Sequence, residues 1–189
     1  AAWKAGYELV KFYFMVGVPG ENEDDLRAIV GLCERASLSR KQVMRRRGKI
    51  NIAVSSHVPK PHTPFQWEAM APPEALRAKQ SFVRSCNTSS YLKLKFHNVD
   101  ESYLEGVFSR GDRRLAAALL TARERGIRMD AWSARFSLDA WKEVFDEARI
   151  DPDFYALRER RDDEILPWDM IAAGSPSHYL RKERDRARA

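Results

Sequence analysis

The segment that most constrains the fold of this chain is INIAVSSHVPKPHTPFQW, at Ile50–Trp67. It opens with an apolar, β-branched run that is typical of a strand buried on both faces. It then turns polar and carries three prolines, which cannot continue a hydrogen-bonded ladder. Because ligands of α/β proteins bind beyond the carboxyl ends of parallel strands, the segment predicts a binding site. The alternative is a connector that the prolines merely shape.

A second strand-like run, ELVKFYFMVGV at Glu8–Val18, leads into a turn that contains glycine and proline. Asn22 is suited to cap the helix that follows, in which apolar residues recur at helical spacing as far as Cys33. The basic stretch Arg40–Lys49 then indicates an exposed loop rather than a phosphate-binding patch. Strand, turn and helix form one βα unit, and Ile50–Ser55 begins another.

The rest of the chain completes the second βα unit and adds a helical region. Pro72-Pro73 suits the first turn of a helix, and Tyr91–His97 alternates apolar and polar residues as an edge strand does. Two consecutive βα units predict a parallel sheet or barrel. Capping residues and a charged tail then indicate helices that begin near Ser137, Asp151-Pro152 and Tyr179.

Composition excludes several classes of protein. The chain is 44% hydrophobic, so it can build a core, and it contains no apolar run long enough to cross a membrane. Cys33 and Cys86 are too few for a disulfide framework, which predicts a reducing, cytoplasmic location. The net charge of +6, from 33 basic and 27 acidic residues, does not by itself indicate nucleic-acid binding. The chain begins without methionine, which suggests a fragment.

The sequence FMVGVPGENEDD at Phe14–Asp25 resembles the strand–GxPGE(T/N)–helix segment of radical S-adenosylmethionine (radical SAM) enzymes. In that family the segment lies late in a partial (β/α) barrel and helps to hold the adenine side of the cofactor. VPKPHTPFQW resembles the following stretch in an uncharacterised branch of the family, as do GDRRL at 111–115, Trp132 and LPWD at 166–169. The GxPGE part is common across the superfamily, whereas PKPHTPFQW is specific to the branch.

The resemblance implies both a fold and a set of site residues. The implied fold class is α/β, with a partial (β/α) barrel fragment over residues 1–98 and a mainly helical C-terminal extension with a charged tail over residues 99–189. It implies that the cofactor is bound by Gly17, Pro19, Gly20, Glu21, Ser55 and Ser56. It implies that the substrate is bound by His57, Lys60, His62, Gln66, Arg110 and Arg113. It assigns no catalytic residue and no metal ligand.

Two of these assignments have an equal structural alternative. The Glu21 side chain suits the first-turn dipole of the following helix as well as it suits a ligand. Arg110 and Arg113, with Asp112 and Arg114, suit a local ion-pair network as well as an anionic substrate. A zinc site at His57 and His62 is disfavoured, because no further ligand accompanies the pair.

The family holds its iron–sulfur cluster with a CxxxCxxC loop, and this sequence contains no such triplet. Three thiolates are required to leave one iron open for S-adenosylmethionine, and Cys33 and Cys86 cannot supply them. The expected function is that of the C-terminal part of a radical SAM enzyme, which would use a [4Fe-4S] cluster to cleave S-adenosylmethionine for radical chemistry. Its substrate is unknown, with RNA as one candidate. The branch has a cobalamin-binding-like domain, so cobalamin is a further candidate cofactor, and this chain alone is expected to be inactive.

Two other functional classes stay open. One is a non-catalytic module that binds RNA or a protein through the helical region from Asp100 onward, and the other is a barrel remnant that only packs. The expected partner is the set of N-terminal barrel strands of the same protein. Strand edges left open at Glu8–Val18 or Ile50–Ser55 also predict self-association.

Overall fold

The computed structural model describes residues 2–128 and 135–188 and has a mixed α/β fold. Trp132, one of the residues that carry the family resemblance, lies outside this range. The described residues form a three-stranded sheet of β1 (Leu9–Val16), β2 (Lys49–Ser56) and β3 (Leu92–Phe96). The helices are α1 (Glu23–Met44), α2 (Pro73–Cys86), α3 (Val99–Ser109), α4 (Leu115–Glu124), α5 (Leu138–Glu147), α6 (Pro152–Ala156) and α7 (Ser177–Arg188).

The chain divides into two compact units. Residues 1–57 and 71–99 form the first, which we call the sheet unit, and residues 58–70 and 100–189 form the second, the helical unit. The domain boundary predicted near residue 98 groups residues 58–70 with the strands that precede them. In the structure this proline-rich segment packs with the helices of the second unit, through contacts that its local sequence does not reveal.

The sheet is parallel, and its strand order follows the chain order β1-β2-β3. β2 is central and pairs along both of its edges, so Ile50–Ser55 is not an open edge. In the part of the chain that the structure describes, β1 pairs on one side only, and the exposed edge predicted at Glu8–Val18 is present there. Apolar side chains from one face of the sheet form a core with Leu26, Ile29, Val30 and Cys33 of α1 and Val83 of α2.

The helix predicted after Asn22 is confirmed, and it is longer than the sequence indicated. Asn22 Oδ1 accepts from the backbone N–H groups of Asp24 and Asp25 at 2.8 and 3.2 Å, which forms the first half of a capping box. The helix runs to Met44, so the loop predicted from Arg40 was wrong at its start. Arg40 is buried on α1, where its Nε donates to the Tyr7 carbonyl oxygen at 3.3 Å.

The helical unit has a core of its own, built mainly from α3 to α6. The predicted helix starts are confirmed at Ser137, which accepts from the Ala140 N–H at 3.2 Å, and at Asp151, which accepts from the Asp153 N–H at 3.0 Å. The buried members of this core are Tyr103, Leu104, Val107, Leu115, Ala118, Ala122, Trp141, Val144, Phe145, Tyr155 and Ala156. None of the described helices combines the length and the hydrophobicity that crossing a membrane requires.

Candidate functional site

The carboxyl ends of β1 and β2 lie side by side, as two consecutive βα units predict. Val16 and Ser56 are register partners at the ends of these strands. One residue further on, the His57 N–H donates to the Val16 carbonyl oxygen at 2.8 Å, so pairing continues past the end of β2. The turn after β1 and the residues that end β2 therefore share the edge at which parallel sheets bind ligands.

The turn after β1 contains two glycines in the left-handed backbone region, at φ +86° for Gly17 and +83° for Gly20. A Cβ atom on Gly17 would lie 2.5 Å from Cδ2 of Leu76, so α2 packs directly on this position. A Cβ atom on Gly20 would meet nothing within 4 Å, so the backbone there is open to a ligand. Pro19, half-buried between them, stiffens the turn through its fixed φ.

The Glu21 carboxylate holds this turn closed and does not lie in the first turn of α1. Its Oε2 accepts from the Gly17 N–H at 2.9 Å and from Lys79 Nζ at 2.7 Å. The carboxylate is buried and Lys79 is mostly buried, so the pair is largely shielded from water. No local sequence signal points to Lys79 as the partner of Glu21, because Lys79 belongs to α2 and is 58 residues away.

Ser55 and Ser56, which end β2, and His57, which follows them, make different contacts. Ser55 Oγ donates to the Phe14 carbonyl oxygen at 3.3 Å, a bond that ties β2 to β1. Ser56 Oγ is buried and has no hydrogen-bond partner among the described residues. His57 is also buried, and burial lowers the pKa of its imidazole while the nearby Glu21 carboxylate partly opposes that shift.

The loop residues Lys60, His62 and Gln66 lie in the helical unit. Lys60 forms an ion pair with Glu105. Gln66 is buried, and its Oε1 accepts from the His62 N–H at 2.9 Å and from Trp168 Nε1 at 2.7 Å. Gln66 therefore holds this loop in place, whereas His62 lies on the wall of an open cleft of about 440 Å³ together with residues 171–177.

The C-terminal helix α7 packs on the two residues that follow Gln66. Trp67 is buried, and the guanidinium groups of Arg181 and Arg184 lie 5.3 and 5.4 Å from its ring centroid. Glu68 is also buried and pairs with Arg184 and Arg188 of the same helix. The charged tail that the sequence indicates is therefore a helix docked on the proline-rich loop.

Arg110 is fully buried and is used within the fold. Its Nη1 and Nη2 donate to the carbonyl oxygens of Ala156 and Arg158 at 2.7 and 2.9 Å. Arg160 Nη2 in turn donates to the Arg110 carbonyl oxygen at 2.6 Å. Burial, with the positive charges of Arg160 and Arg158, lowers the pKa of Arg110 to about 10. With its guanidinium donating to the backbone, Arg110 is poorly placed to bind a substrate.

Arg113 and Arg114 line an open cleft of about 710 Å³ in the helical unit. The Arg114 guanidinium forms a fork with Asp112, whose pKa it lowers to about 2, with an Nη2–Oδ2 distance of 2.7 Å. Arg113 is exposed and forms no ion pair with any described residue. The two alternatives left open for this cluster thus apply to different residues: Arg114 belongs to an ion-pair network, and Arg113 is available to an anion.

The described residues do not form a metal centre. No group of three or more His, Cys, Asp or Glu residues among them is arranged to hold an ion. Cys33 is fully buried in the core of the sheet unit, and burial raises the pKa of its thiol to about 11. Residues 2–128 and 135–188 therefore do not fit the thiolate ligation that an iron–sulfur cluster requires.

The two faces of the sheet differ in composition. One face packs on α1 and α2. On the other, the side chains of β1 are strongly exposed, at 72% for Tyr13 and 56% for Met15. Neither helix of the sheet unit, α1 or α2, packs on this second surface, which we therefore call the helix-free face. It comprises Lys11, Tyr13 and Met15 of β1, Asn51, Ala53 and Ser55 of β2, and Lys93 and Lys95 of β3.

Comparison with known proteins yields one informative similarity. No family model matches this chain, and no solved structure matches it. A protein of Methanocaldococcus jannaschii, described only as uncharacterised, is 26% identical over 153 residues. The alignment covers 76% of this chain and 32% of the relative, so the chain spans about a third of the length of the curated relative that it matches.

Proposed function

We propose that this chain is the C-terminal part of a radical SAM enzyme, in which the shared edge of β1 and β2 binds the adenine side of S-adenosylmethionine. The observation that carries the proposal is the adjacency of two strand ends. The turn that resembles GxPGE follows one strand, and the buried Ser56 hydroxyl ends the other. A ligand at this edge would contact both.

The sheet supports a partial barrel in preference to a doubly wound sheet. Its strands are parallel and in chain order, and both connecting helices pack on the same face. A parallel sheet covered by helices on both faces is apolar on both. The helix-free face instead carries Asn51 and Ser55 on its central strand, which is not the composition of a sheet face covered by helices.

The edge offers suitable groups for a nucleoside. Ser56 Oγ is a buried hydroxyl without a protein partner among the described residues, and such groups are costly unless a ligand or water satisfies them. Gly20 offers an unobstructed backbone, and the Glu21–Lys79 pair fixes the turn that presents it. When bound, S-adenosylmethionine supplies the radical chemistry, and these residues would hold and orient it.

The cluster itself must be held by residues outside those described, because their donor set does not fit it. The relative from M. jannaschii is about three times as long as the stretch that this chain matches, which leaves room for further barrel strands in a protein of that kind.

The test is equilibrium binding of S-adenosylmethionine to the full-length protein, measured anaerobically by isothermal titration calorimetry. We expect Ser56→Ala to weaken binding about fivefold, the value of one hydrogen bond of roughly 1 kcal/mol. We expect Gly20→Ala to weaken binding by a larger factor, because it adds a side chain at the open backbone.

Gly126→Ala is the matched control for Gly20→Ala. Gly126 also has a positive φ, +76°, and open space around its Cβ position, but it follows α4 in the helical unit. If Gly20→Ala binds no more weakly than Gly126→Ala, the turn does not contact the cofactor. If the wild-type protein neither binds S-adenosylmethionine nor shows an iron–sulfur absorption spectrum after reconstitution, the proposed class of enzyme is wrong.

The alternative of RNA binding by the helical region has less support. The helical unit contains 18 basic and 20 acidic residues, a net charge of −2, whereas the sheet unit contains 15 basic and 7 acidic residues, a net charge of +8. Phosphate contacts dominate affinity for nucleic acid. The negative net charge of the helical unit therefore disfavours RNA binding there, and the positive charge lies in the sheet unit.

A further inference from the structure

The helix-free face carries a cluster of lysines. Lys11 of β1, Asn51 of β2 and Lys93 of β3 are register partners and form one row across the three strands. The next row toward the carboxyl edge is Tyr13, Ala53 and Lys95. Neighbouring strands are about 4.8 Å apart, and successive residues of a strand are about 3.3 Å apart. The Cα atom of Lys93 therefore lies about 10 Å from that of Lys11 and about 7 Å from that of Lys95.

These lysines have no acidic partner among the residues that the structure describes. Lys11, Lys93 and Lys95 are exposed, and none of them forms an ion pair with a residue that the structure describes. None of the other residues of the face is acidic. Three exposed lysines on neighbouring strands concentrate positive charge on this face, which a bound anion would neutralise.

The same face also offers groups that recognise bases. Tyr13 is 72% exposed, and Lys11 Nζ lies 4.7 Å from its ring centroid, so an aromatic ring is held next to a positive charge. Met15 adds apolar surface beyond Tyr13, and Asn51 offers an amide between the lysines. Exposed aromatic rings among lysines are typical of surfaces that bind single strands, because unpaired bases can stack there.

We propose that the helix-free face binds single-stranded nucleic acid, with Lys11, Lys93 and Lys95 contacting phosphates and Tyr13 stacking on a base. This goes beyond the proposed function, which concerns the strand edge and its cofactor. A duplex cannot use the tyrosine, since its bases are already stacked.

The test is fluorescence anisotropy of a labelled 12-nucleotide RNA with the complete chain, without S-adenosylmethionine. The lysine variant is K11Q/K93Q/K95Q, and the matched control is K4Q/K41Q/K182Q, which removes three exposed lysines from elsewhere. We expect the lysine variant to bind at least tenfold more weakly at 100 mM salt. We also expect its plot of log Kd against log salt to lose about two units of slope, at roughly 0.7 per phosphate contact on a single strand.

A second pair of variants tests stacking. Tyr13→Ala should weaken binding fivefold or more, and Tyr13→Phe, which keeps the ring, should bind like the wild type. Tyr13 is so exposed that neither change should affect folding, which circular dichroism can verify. Ultraviolet cross-linking of the wild-type protein should attach the nucleotide to peptides that contain residues 11–15 or 93–95.

Several results would overturn the assignment. An equal loss in the control lysine variant would show that total charge alone attracts RNA. Duplex RNA bound as tightly as the single strand, or Tyr13→Ala equal to the wild type, would show that no base stacks on the face. Absence of binding by the wild type would end the proposal, and it would leave the cofactor assignment untouched because no S-adenosylmethionine is present.

Discussion

At the scale of single residues, Gly17 is the most constrained position in the candidate cofactor edge. It combines a left-handed φ with a Cβ position only 2.5 Å from Leu76, a side chain buried in the sheet unit. Its N–H is held by Glu21. Backbone conformation and packing therefore both favour glycine directly after β1, whereas the hydrogen bond from its N–H would suit any residue except proline.

Gly17→Ala should lower the free energy of unfolding by about 3 kcal/mol, since backbone strain adds to overpacking. Gly20→Ala should cost only about 1 kcal/mol, because the strain is similar and the space is open. Urea denaturation of both variants checks the difference. Equal losses would mean that Leu76 moves aside freely and that packing does not select glycine.

The two cysteines should differ in reactivity. Cys33 is fully buried and the pKa of its thiol is raised to about 11, so it stays protonated and inaccessible at pH 8, whereas Cys86 is only partly buried. Iodoacetamide should therefore label Cys86 first, as mass spectrometry of tryptic peptides can show. In 6 M urea the two rates should converge. Preferential labelling of Cys33 in the native protein would contradict its place in the core.

At the scale of elements, helix α7 depends on the loop that precedes α2. Glu68 is buried and is the loop's acidic partner for Arg184 and Arg188. Glu68→Gln should destabilise the protein by about 2 kcal/mol, because it removes the charge-assisted bond to Arg188, whereas Arg184 keeps its bonds to Asp162. Hydrogen exchange should show α7 opening first.

Glu183→Gln is the control for that variant. Glu183 is on the same helix and pairs with Arg186 at the surface, so its replacement should cost at most about 0.5 kcal/mol. Similar losses of unfolding free energy in both variants would show that the buried Glu68 contributes no more to stability than the surface pair. An unchanged exchange rate in α7 with Glu68→Gln would show that Trp67 and Leu180 hold the helix without it.

Local signals in the sequence identify most elements but not their partners. The caps at Asn22, Ser137 and Asp151 were predictable, because each depends on neighbours within three residues. The continuation of α1 through Arg40 was not, since the burial of that arginine depends on the distant Tyr7. The site divides in the same way: the adjacency of the strand ends follows from two βα units, whereas the Glu21–Lys79 pair joins distant parts of the chain.

At the scale of the whole molecule, the chain crosses between its two units three times. Residues 58–70 leave the sheet unit, pack in the helical unit and return before α2. The change from strands to helices in the sequence predicts a single domain boundary near residue 98. Such a boundary separates Trp67 from Trp168, Leu166 and Leu180, which pack with it in one cluster. The sequence pattern predicts a functional site in the proline-rich segment, and the structure shows that its last residues hold α7 in place.

A truncated chain of residues 1–99 should consequently aggregate, because Trp67 loses the apolar residues that bury it. The same truncation with residues 58–70 replaced by a glycine–serine linker of equal length should aggregate less. Light scattering after size-exclusion chromatography compares the two. If both behave alike, exposure of Trp67 is not the cause, and the open edge of β1 becomes the better explanation.

The docking of α7 on Trp67 and Glu68 also sets an order of events during synthesis. Arg184 leaves the ribosome 117 residues after Trp67, a delay of roughly 6 to 23 s at 5–20 residues per second. Throughout that interval the nascent chain carries an unburied tryptophan and an unpaired glutamate beside three prolines. The helical unit therefore cannot complete its folding until α7 has been synthesised, which makes the exposed loop the last part of this unit to be buried.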